Sequence, residues 1–391
     1  MRKVVSSAAL MGALLLLYAG GVLAQPQTPT QNIPDRYIVV FEEGVRDPAA
    51  VANEHARENG LQVRFVYTNA IEGYAAVFPN DRALQRVQND PRVAYVEQDQ
   101  VARAVAQTLP WGIDRVEADV SPAALAGNGS GDVSNVNAYI IDTGIYKHAD
   151  LRVVGHVNFA GGKNTDCNGH GTHVAGTVAA KDDGNYVVGA APGAPLTGVK
   201  VLGCSGSGST SGVIKGVDWV TANAKKPAIA NMSLGGGASN ALDTAVKNSA
   251  AGGIFYSLAA GNDGADACDD SPARAGAGTD NGIATVAATN KTDGETSWSN
   301  YGSCVDIWAP GASILSTKKG GGTTTMSGTS MAAPHVAGGG ALYLSSSTNP
   351  DGSPRDASPT AVEGALTSSV TTTANSSKDG AGIVLENVGG F

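Results

Sequence analysis

The stretch Tyr139–Gly144 reads YIIDTG: an apolar run, then a carboxylate, then a threonine and a glycine. Similar short apolar runs recur at Leu196–Val201 and Ile254–Ala260, and helical patterns separate them. Continuous apolar strands that alternate with helices are typical of a mostly parallel sheet with helices packed on both faces. The sequence therefore predicts an α/β fold for residues 104–391, in which Asp142 lies at the carboxyl end of a strand.

Composition excludes several classes of protein. Hydrophobic residues make up 42% of the chain, enough to bury a large core, so a disordered protein is excluded. Acidic residues outnumber basic ones by 35 to 26 and no basic cluster occurs, so we expect no nucleic-acid partner. The 52 glycines follow no period, which excludes collagen and predicts many tight turns.

The amino terminus has the layout of a secretory signal peptide. Two basic residues precede the apolar stretch Val4–Leu23, and Val22–Ala24 fits a small-residue cleavage site. An uncleaved membrane anchor is the alternative, which is disfavoured because the densest apolar part spans only Ala8–Leu17. No other stretch approaches the roughly 18 apolar residues of a membrane span. After removal of residues 1–24 we therefore expect no membrane contact, and a secreted, extracellular monomer.

The sequence of residues 36–100 predicts a small folding unit with the element order β-α-β-β-α-β, which is a ferredoxin-like arrangement. Asp47 and Pro48 can start the first helix and Gly60 can end it, while Asn80 can cap the second helix. Strand-like runs flank and separate the two helices. We therefore assign residues 25–103 to a small α+β domain that precedes the larger one.

Three segments bring reactive side chains to one edge of the predicted sheet. Asp142 ends a strand, His170 opens a helix within NGHGTHVAG, and Ser330 opens another within GTSMAAPH. Strand carboxyl ends and helix amino ends share the edge where ligands bind in such sheets. A serine becomes a nucleophile when a histidine takes its proton, and a carboxylate orients that histidine. Asp142, His170 and Ser330 are therefore candidate catalytic residues.

Each of these residues alone has an ordinary structural interpretation. A strand-end aspartate is commonly a turn residue, and a serine at a helix amino terminus is commonly a cap. His170 and His173 have a spacing compatible with zinc, but no third cluster of ligands accompanies them. The combination of the three segments, in this order, is what favours catalysis.

Together the segments resemble the three signatures of subtilisin-like serine proteases, the subtilases: Asp142–Gly144, His170–His173 and Gly328–Pro334. The chain order Asp, His, Ser is that of this family, whereas α/β-hydrolases follow the order Ser, Asp, His. Pro110–Arg115 and Ser299–Ser303 resemble the proteinase K-like branch, and aqualysin-type enzymes in particular. Residues 36–100 are similar to the inhibitory propeptide of the same enzymes.

The resemblance implies a role for each candidate residue. Asp142 orients His170, which takes the proton of Ser330 for attack on a peptide carbonyl, and no cofactor takes part in catalysis. Asn262, which follows Gly261 at the end of an apolar run, matches the asparagine of the oxyanion hole. Two rival functions remain open: a catalytically silent subtilase fold that serves as a binding module, and a secreted esterase with the same triad.

Three glycine-rich segments resemble the family's substrate-binding edges, where an extended peptide lies against the chain as an added strand. They comprise one peptide edge, Ser205, Gly206, Ser207 and Gly208, and two walls of the primary pocket, Ser233, Leu234, Gly235 and Gly236 on one side and Ala259, Ala260 and Gly261 on the other. These walls offer no formal charge. We therefore expect an apolar or aromatic residue at P1, the substrate position before the cleaved bond. The alternative is that these segments are ordinary loops.

The four cysteines predict disulfides, because an even number in an exported chain favours pairing. Three connectivities are possible from the count alone. The resemblance to aqualysin-type enzymes implies the bridges Cys167–Cys204 and Cys268–Cys304.

The resemblance also implies structural calcium. Asp306 matches a carboxylate that holds this ion in proteinase K-like enzymes, and the carbonyl oxygens of Asn281 and Ile283 are the companion ligands we select. An oxygen-only site suits calcium. Lone acids on the surface are the alternative interpretation.

The sequence thus predicts a secreted serine endopeptidase made as a pre-pro-enzyme, with a signal peptide 1–24, an inhibitory propeptide 25–103 and a peptidase domain 104–391. Its expected partners are protein and peptide substrates and its own propeptide, which would inhibit it until degraded. We expect self-cleavage at a bond from Gln100 to Ala106, because the chain there is an extended linker between two folded units. The resemblance to aqualysin-type enzymes implies a new amino terminus near Ala104.

Overall fold

The computed structural model describes residues 32–100, 107–278, 280–348 and 355–391. The predicted signal peptide and most of the expected cleavage region lie outside the described residues. Contacts divide the chain into two compact units, Met1–Ala104 and Val105–Phe391, which we call the N-terminal and C-terminal units. None of the helices in the described ranges is long and apolar enough to cross a membrane.

The N-terminal unit has the predicted order of elements. They are β1 (Asn32–Phe41), α1 (Pro48–Asn59), β2 (Gln62–Thr68), β3 (Glu72–Val77), α2 (Asp81–Gln88) and β4 (Val93–Gln100). The four strands form an antiparallel sheet in the order β2-β3-β1-β4. The ferredoxin-like prediction is therefore confirmed.

The ends of α1 and α2 lie where the capping residues predict. The Asp47 carboxylate accepts a hydrogen bond from the Ala50 N–H at 2.9 Å, and the Asn80 side chain accepts one from the Ala83 N–H at 3.0 Å. Gly60 ends α1 in the left-handed region with φ 69°, which a residue without a side chain adopts easily. The capping residues in the sequence thus set where both helices begin and where α1 ends.

The C-terminal unit is built around a nine-stranded sheet in the order β16-β17-β13-β12-β10-β8-β5-β7-β6. Its elements are α3 (Trp111–Arg115), β5 (Asn137–Asp142), β6 (Val153–Asn158), α4 (His170–Ala179), β7 (Leu196–Lys200), α5 (Thr210–Asn223), β8 (Ala228–Met232), β9 (Gly236–Gly237), α6 (Asn240–Ala251), β10 (Phe255–Ala259), β11 (Asp270–Ser271), β12 (Ile283–Thr289), β13 (Ile307–Pro310), β14 (Ile314–Thr317), β15 (Thr323–Met326), α7 (Thr329–Ser345), α8 (Pro359–Ser368), β16 (Val370–Ser376) and β17 (Gly382–Glu386). All neighbouring strands of this sheet run parallel except β16 and β17, which pair antiparallel. The mostly parallel α/β fold is confirmed.

Helices on both faces explain why the central strands are apolar throughout. Successive residues of a strand point to opposite faces. Ile140 of β5 packs with Val174 of α4 and Val336 of α7, whereas the next residue, Ile141, packs with Val217 of α5. Each face therefore has its own core, and α4 and α7 lie on the same side of the sheet.

Some boundaries and elements differ from the sequence-based expectation. The helix α5 begins at Thr210, inside a stretch whose Gly/Ser-rich composition favours a loop, because the Ser209 hydroxyl accepts a hydrogen bond from the Gly212 N–H. The prediction did not include the β16–β17 hairpin. Its first strand reads VTTTANS and is half-buried at the sheet edge, so it shows no apolar run.

One glutamate is buried beneath α7 with no charge partner. Glu386 of β17 is wholly buried, and neither carboxyl oxygen has a hydrogen-bond partner among the described residues. Its side chain lies against Gly339, where an added Cβ would stand 2.3 Å from one of these oxygens. Burial raises the pKa of Glu386 to about 8, because the ionised form would lose its hydration.

Replacing Glu386 with glutamine should therefore stabilise the protein more at pH 8 than at pH 5. The folded-state pKa lies above the value near 4.5 expected in the unfolded chain, so wild type loses stability as the pH rises between the two. Glutamine does not titrate and escapes that loss. The melting temperatures of Glu386→Gln and its parent at the two pH values measure the effect, in a Ser330→Ala background to prevent autolysis. An equal change at both pH values would contradict the buried neutral carboxyl.

Candidate active site

The three candidate catalytic residues lie at the carboxyl edge of the large sheet. Asp142 is the last residue of β5, and His170 is the first residue of α4. Ser330 is the second residue of α7, which packs on the same face as α4. Parallel strands ending beside helix amino termini therefore bring together residues that are up to 188 positions apart in the sequence (330 − 142).

A direct contact joins two of the candidate catalytic residues, Asp142 and His170. Asp142 is wholly buried, and both of its carboxylate oxygens lie 2.9 Å from Nδ1 of His170. One of these oxygens also accepts a hydrogen bond from the Thr143 N–H at 2.6 Å. Burial by itself would lower the pKa of His170, but the charge and hydrogen bond of Asp142 raise it above its usual value. The geometry places a proton on Nδ1 and leaves Nε2 available as a base.

A second buried carboxylate, Asp166, holds the start of α4 in place. One carboxylate oxygen accepts hydrogen bonds from the Thr143 hydroxyl at 3.0 Å and the Gly169 N–H at 2.8 Å. The other accepts from the N–H and the hydroxyl of Thr172, at 3.0 and 2.5 Å. An anion at a helix amino terminus is stabilised by the exposed N–H groups there. The sequence analysis missed Asp166, although an aspartate just before the glycines that open a helix is a capping signal.

Lys200 is a buried cation next to this pair of carboxylates, and the sequence analysis missed it as well. It ends β7 as the register partner of Asp142 and is only 1% exposed. Its Nζ donates to the carbonyl oxygens of Thr143 at 2.7 Å and Leu202 at 3.0 Å. Burial lowers the pKa of Lys200, while the charges of Asp166 and Asp142 oppose that shift. Lys200 thus fixes the turn after Asp142 and offsets its negative charge.

Ser330 lies at this edge with its hydroxyl turned to a backbone carbonyl. Its Oγ donates to the Ser233 carbonyl oxygen at 3.1 Å, and the Ser233 hydroxyl donates to the Ser330 carbonyl oxygen at 2.8 Å. Among the residues that the structure describes, no hydrogen bond joins Ser330 to His170. Catalytic hydrogen bonds often tighten only once substrate is bound.

The amide of Asn262 is held so that its NH₂ group faces outward. Its Oδ1 accepts hydrogen bonds from the N–H and the hydroxyl of Thr329, at 2.8 and 3.1 Å. The Gly261 N–H donates to the same hydroxyl at 3.1 Å, which fixes the turn. Nδ2 has no acceptor among the described residues. It is therefore a free donor next to the amino end of α7.

A cavity of about 370 Å³, which we call the His170 cavity, is lined by residues of the predicted peptide edge and of one predicted wall of the primary pocket. Its lining includes His170, three of the four residues of the predicted peptide edge (Gly206, Ser207 and Gly208) and the predicted wall Ser233, Leu234, Gly235 and Gly236. Ser205 does not line it. The two segments therefore line the same cavity as His170.

A second cavity, of about 260 Å³, brings the two predicted walls of the primary pocket together. We call it the Asn262 cavity; it is lined by Gly235, Gly236, Ala259, Ala260, Gly261, Asn262, Asp263, Asp270 and Ala273. The two predicted walls contain no charged residue, but Asp263 and Asp270 also line the cavity. Asp270 reaches the cavity from β11, which pairs with β9. It follows Gly261 of one wall by nine residues and Gly236 of the other by 34.

Two disulfides brace the loops around the site. The structure joins Cys167 to Cys204 and Cys268 to Cys304, the pairing that the resemblance implies, and no cysteine is left free. The first bridge links the loop before α4 to the loop after β7. Lys319 adds a hydrogen bond from its Nζ to the Cys167 carbonyl oxygen at 2.6 Å.

At the expected calcium ligands, the side chains of Asp306 and Asn281 already accept hydrogen bonds. Asp306 accepts a hydrogen bond from the Thr285 N–H at 2.7 Å, and the Asn281 Oδ1 accepts one from the Ile283 N–H at 2.9 Å. Burial raises the pKa of Asp306 to about 8, and the charge of Glu363 adds to this rise. Across the described ranges no three His, Cys, Asp or Glu side chains gather as a metal site. A cation here would neutralise two facing carboxylates but would need backbone carbonyl ligands.

Comparisons with known proteins agree with this geometry. The model of the subtilase family matches residues 134–388, and that of the peptidase inhibitor I9 family matches residues 36–104. An alkaline serine exoprotease A from Vibrio alginolyticus is 43% identical over 367 residues, which cover 87% of this chain and 65% of that protein. An extracellular serine proteinase from Thermus sp. (strain Rt41A) is 44% identical over 350 residues, covering 80% and 81% of the two chains.

The fold is likewise similar to a solved structure. The crystal structure of a cold-adapted subtilisin-like serine proteinase superimposes with a TM-score of 0.61 at 43% identity, over 73% of this chain and 99% of that one. The subtilase match spans more than half of the chain, and its bounds enclose Asp142, His170, Asn262 and Ser330. The chain therefore belongs to the subtilase family of serine proteases, with an I9 inhibitor domain ahead of its peptidase domain.

Proposed function

We propose that the C-terminal unit is a secreted serine endopeptidase that uses Ser330 as its nucleophile. The observation that carries this proposal is the buried Asp142 carboxylate, with both oxygens 2.9 Å from Nδ1 of His170. That contact fixes the tautomer in which Nε2 can accept a proton. A binding module without catalysis has no use for such a pair beside a serine at a helix amino terminus.

The proposed reaction proceeds in two halves. Ser330 turns from the Ser233 carbonyl oxygen towards His170, gives its proton to Nε2, and forms a bond from Oγ to the substrate carbonyl carbon. The peptide C–N bond then breaks, and His170 returns the proton to the leaving amine. A water molecule repeats the sequence on the acyl-enzyme and restores Ser330. Asp142 stabilises the imidazolium in both halves and keeps its own negative charge.

Asn262 and the backbone N–H of Ser330 are the proposed oxyanion donors. The negative charge that develops on the substrate carbonyl oxygen needs donors already in place, because their reorganisation would cost free energy in the transition state. Thr329 holds the amide oxygen of Asn262, so the free Nδ2 is oriented before substrate arrives. The Ser330 N–H lies at the start of α7, where helix N–H groups are unpaired.

The proposed substrates are proteins and peptides bound as an added strand. The segments Gly206–Gly208 and Ser233–Gly236 both line the His170 cavity, and their glycines expose backbone groups for pairing. The P1 side chain would enter the Asn262 cavity, whose glycine and alanine walls suit apolar and aromatic groups. Broad apolar specificity follows from these walls.

The N-terminal unit is proposed to act as an inhibitor and to be released by self-cleavage between Gln100 and Ala106. The I9 match at residues 36–104 supports the inhibitory role. The predicted signal peptide supports secretion, as does the relative from Thermus that is named extracellular. We further propose one structural calcium at Asp306, where the neighbouring Glu363 supplies a second negative charge.

Ser330→Ala should abolish peptide hydrolysis and leave the precursor uncut, because both reactions need the same nucleophile. The secreted full-length chain, expressed in a protease-free system, is assayed on peptide substrates and by amino-terminal sequencing. Ser347→Ala, an exposed serine beyond the far end of α7, is the matched control and should behave as wild type. Equal activity of Ser330→Ala and wild type would contradict the function, and normal processing of Ser330→Ala would contradict self-cleavage.

Asn262→Leu should lower kcat about 10²–10³-fold with little change in KM, the usual loss on removing one oxyanion donor. Steady-state kinetics on a single peptide substrate measure both constants. Thr329→Val, which removes the hydroxyl that donates to the Asn262 oxygen and accepts the Gly261 N–H but keeps the Nδ2 donor, should lower kcat by much less. A change in KM alone would show that Asn262 only binds substrate.

Lys200→Met should shift the acidic limb of the pH profile of kcat/KM to higher pH. Removal of the buried cation leaves the charges of Asp142 and Asp166 less balanced, which raises the pKa of His170 further. Lys200→Arg keeps the charge and should retain the wild-type profile better. A uniform loss of activity with an unshifted profile would show that Lys200 acts only as a structural anchor.

A further inference from the structure

Asp270 contributes a carboxylate to the Asn262 cavity. This cavity is otherwise lined by small residues, which include Gly235, Gly236 and Ala260, by the amide of Asn262, and by a second aspartate, Asp263. Asp270 belongs to the two-residue strand β11, and its register partner is Gly237 of β9. The pairing of β9 with β11 therefore ties the carboxylate to one wall of the cavity.

A buried asparagine holds this carboxylate against the other wall. The Nδ2 of Asn300 donates to Oδ2 of Asp270 and to the Ala260 carbonyl oxygen, each at 3.1 Å. Asn300 is wholly buried, and its Oδ1 accepts the Asp263 N–H at 3.0 Å. An added Cβ at Gly261 would stand 3.2 Å from Oδ2 of Asp270. The carboxylate is thus packed onto the Gly261 wall in a fixed orientation.

No cation of the protein neutralises this end of the cavity among the described residues. Within the part of the chain that the structure describes, Asp263, Asp269 and Asp270 form no salt bridge. Arg274, which follows β11, is paired with Asp243 at 3.0 Å, and Lys378 is paired with Glu295 at 3.0 Å. Burial raises the pKa of Asp270, and the charge of Asp263 adds to the rise. The cavity therefore has walls of small residues and an uncompensated negative end.

We propose that Asp270 lets the Asn262 cavity receive a lysine or arginine side chain at P1, in addition to apolar side chains. This inference rests on the proposed peptidase function and extends its substrate class. A long basic side chain has an aliphatic stem that packs on apolar surface and a charged tip that seeks a carboxylate. The glycine and alanine walls fit the stem, and Asp270 is the partner for the tip.

The two oxygens of Asp270 have different roles in this arrangement. Oδ2 is committed to Asn300, which fixes the plane of the carboxylate. Oδ1 has no hydrogen-bond donor among the described residues and is the acceptor that a substrate cation would meet. A hydrogen bond between ionised partners is stronger than one between neutral partners, so it discriminates between charged and uncharged side chains of equal length.

The test compares peptides that differ only at P1, with lysine, its uncharged analogue norleucine, or phenylalanine. Wild type should cleave all three peptides. In Asp270→Asn, the ratio of kcat/KM for the lysine peptide to kcat/KM for the norleucine peptide should fall about tenfold. A fall of that size corresponds to the loss of one charge-assisted hydrogen bond. Asp269→Asn is the matched control: this neighbouring aspartate is exposed and does not line the cavity, so the ratio should not change. Because both kcat/KM values are measured on the same variant, a general loss of folded enzyme does not change their ratio.

The outcomes separate the two levels of the proposal. Wild type that cleaves none of the peptides would contradict the peptidase function itself. Cleavage of norleucine and phenylalanine peptides without the lysine peptide would overturn the role of Asp270 and leave the peptidase function intact. An unchanged ratio in Asp270→Asn, or an equal fall in Asp269→Asn, would also overturn it.

Discussion

The buried contact between Asp142 and His170 is the interaction on which the chemistry of this protein depends. Burying an ionised carboxylate away from water costs free energy unless opposite charge and hydrogen bonds compensate for the lost hydration. Here the Thr143 N–H and His170 supply the hydrogen bonds, and Lys200 supplies positive charge from the neighbouring strand. Burial makes the ionised Asp142 costly in free energy, but it also strengthens the electrostatic interaction of its charge with His170. Asp142 therefore raises the pKa of His170, although desolvation alone would lower it.

The sheet makes this contact possible, and the loops make it rigid. Parallel strands deliver Asp142 and Lys200 side by side at one edge, and the amino end of α4 delivers His170 to the same place. Asp166 then ties the turn after Asp142 to the first turn of α4 through Thr143 and Thr172. A disulfide closes the loop that carries Asp166 onto the end of β7. Positions far apart in sequence are thereby held to hydrogen-bonding distance without any contribution from the substrate.

Much of this arrangement could be predicted from the sequence because its signals are local. Apolar runs identify strands buried on both faces, capping residues such as Asp47 and Asn80 identify helix starts, and YIIDTG places a carboxylate at a strand end. The remainder depends on pairing over long distances. Asp270 enters the Asn262 cavity only because β11 pairs with β9, and Lys200 reads as an ordinary strand residue until β7 lies beside β5. The orientation of the Ser330 hydroxyl follows from the Ser233 carbonyl, which no sequence pattern shows.

The most direct test of the central claim is the tautomer and pKa of His170, measured by ¹⁵N NMR of the selectively labelled Ser330→Ala protein. The account predicts that Nδ1 carries the proton across the neutral pH range and that Nε2 titrates, with a pKa above the usual value for histidine. Asp142→Asn, with the carboxylate removed, should lower that pKa. A neutral His170 protonated at Nε2, or a pKa that does not change in Asp142→Asn, would contradict the account.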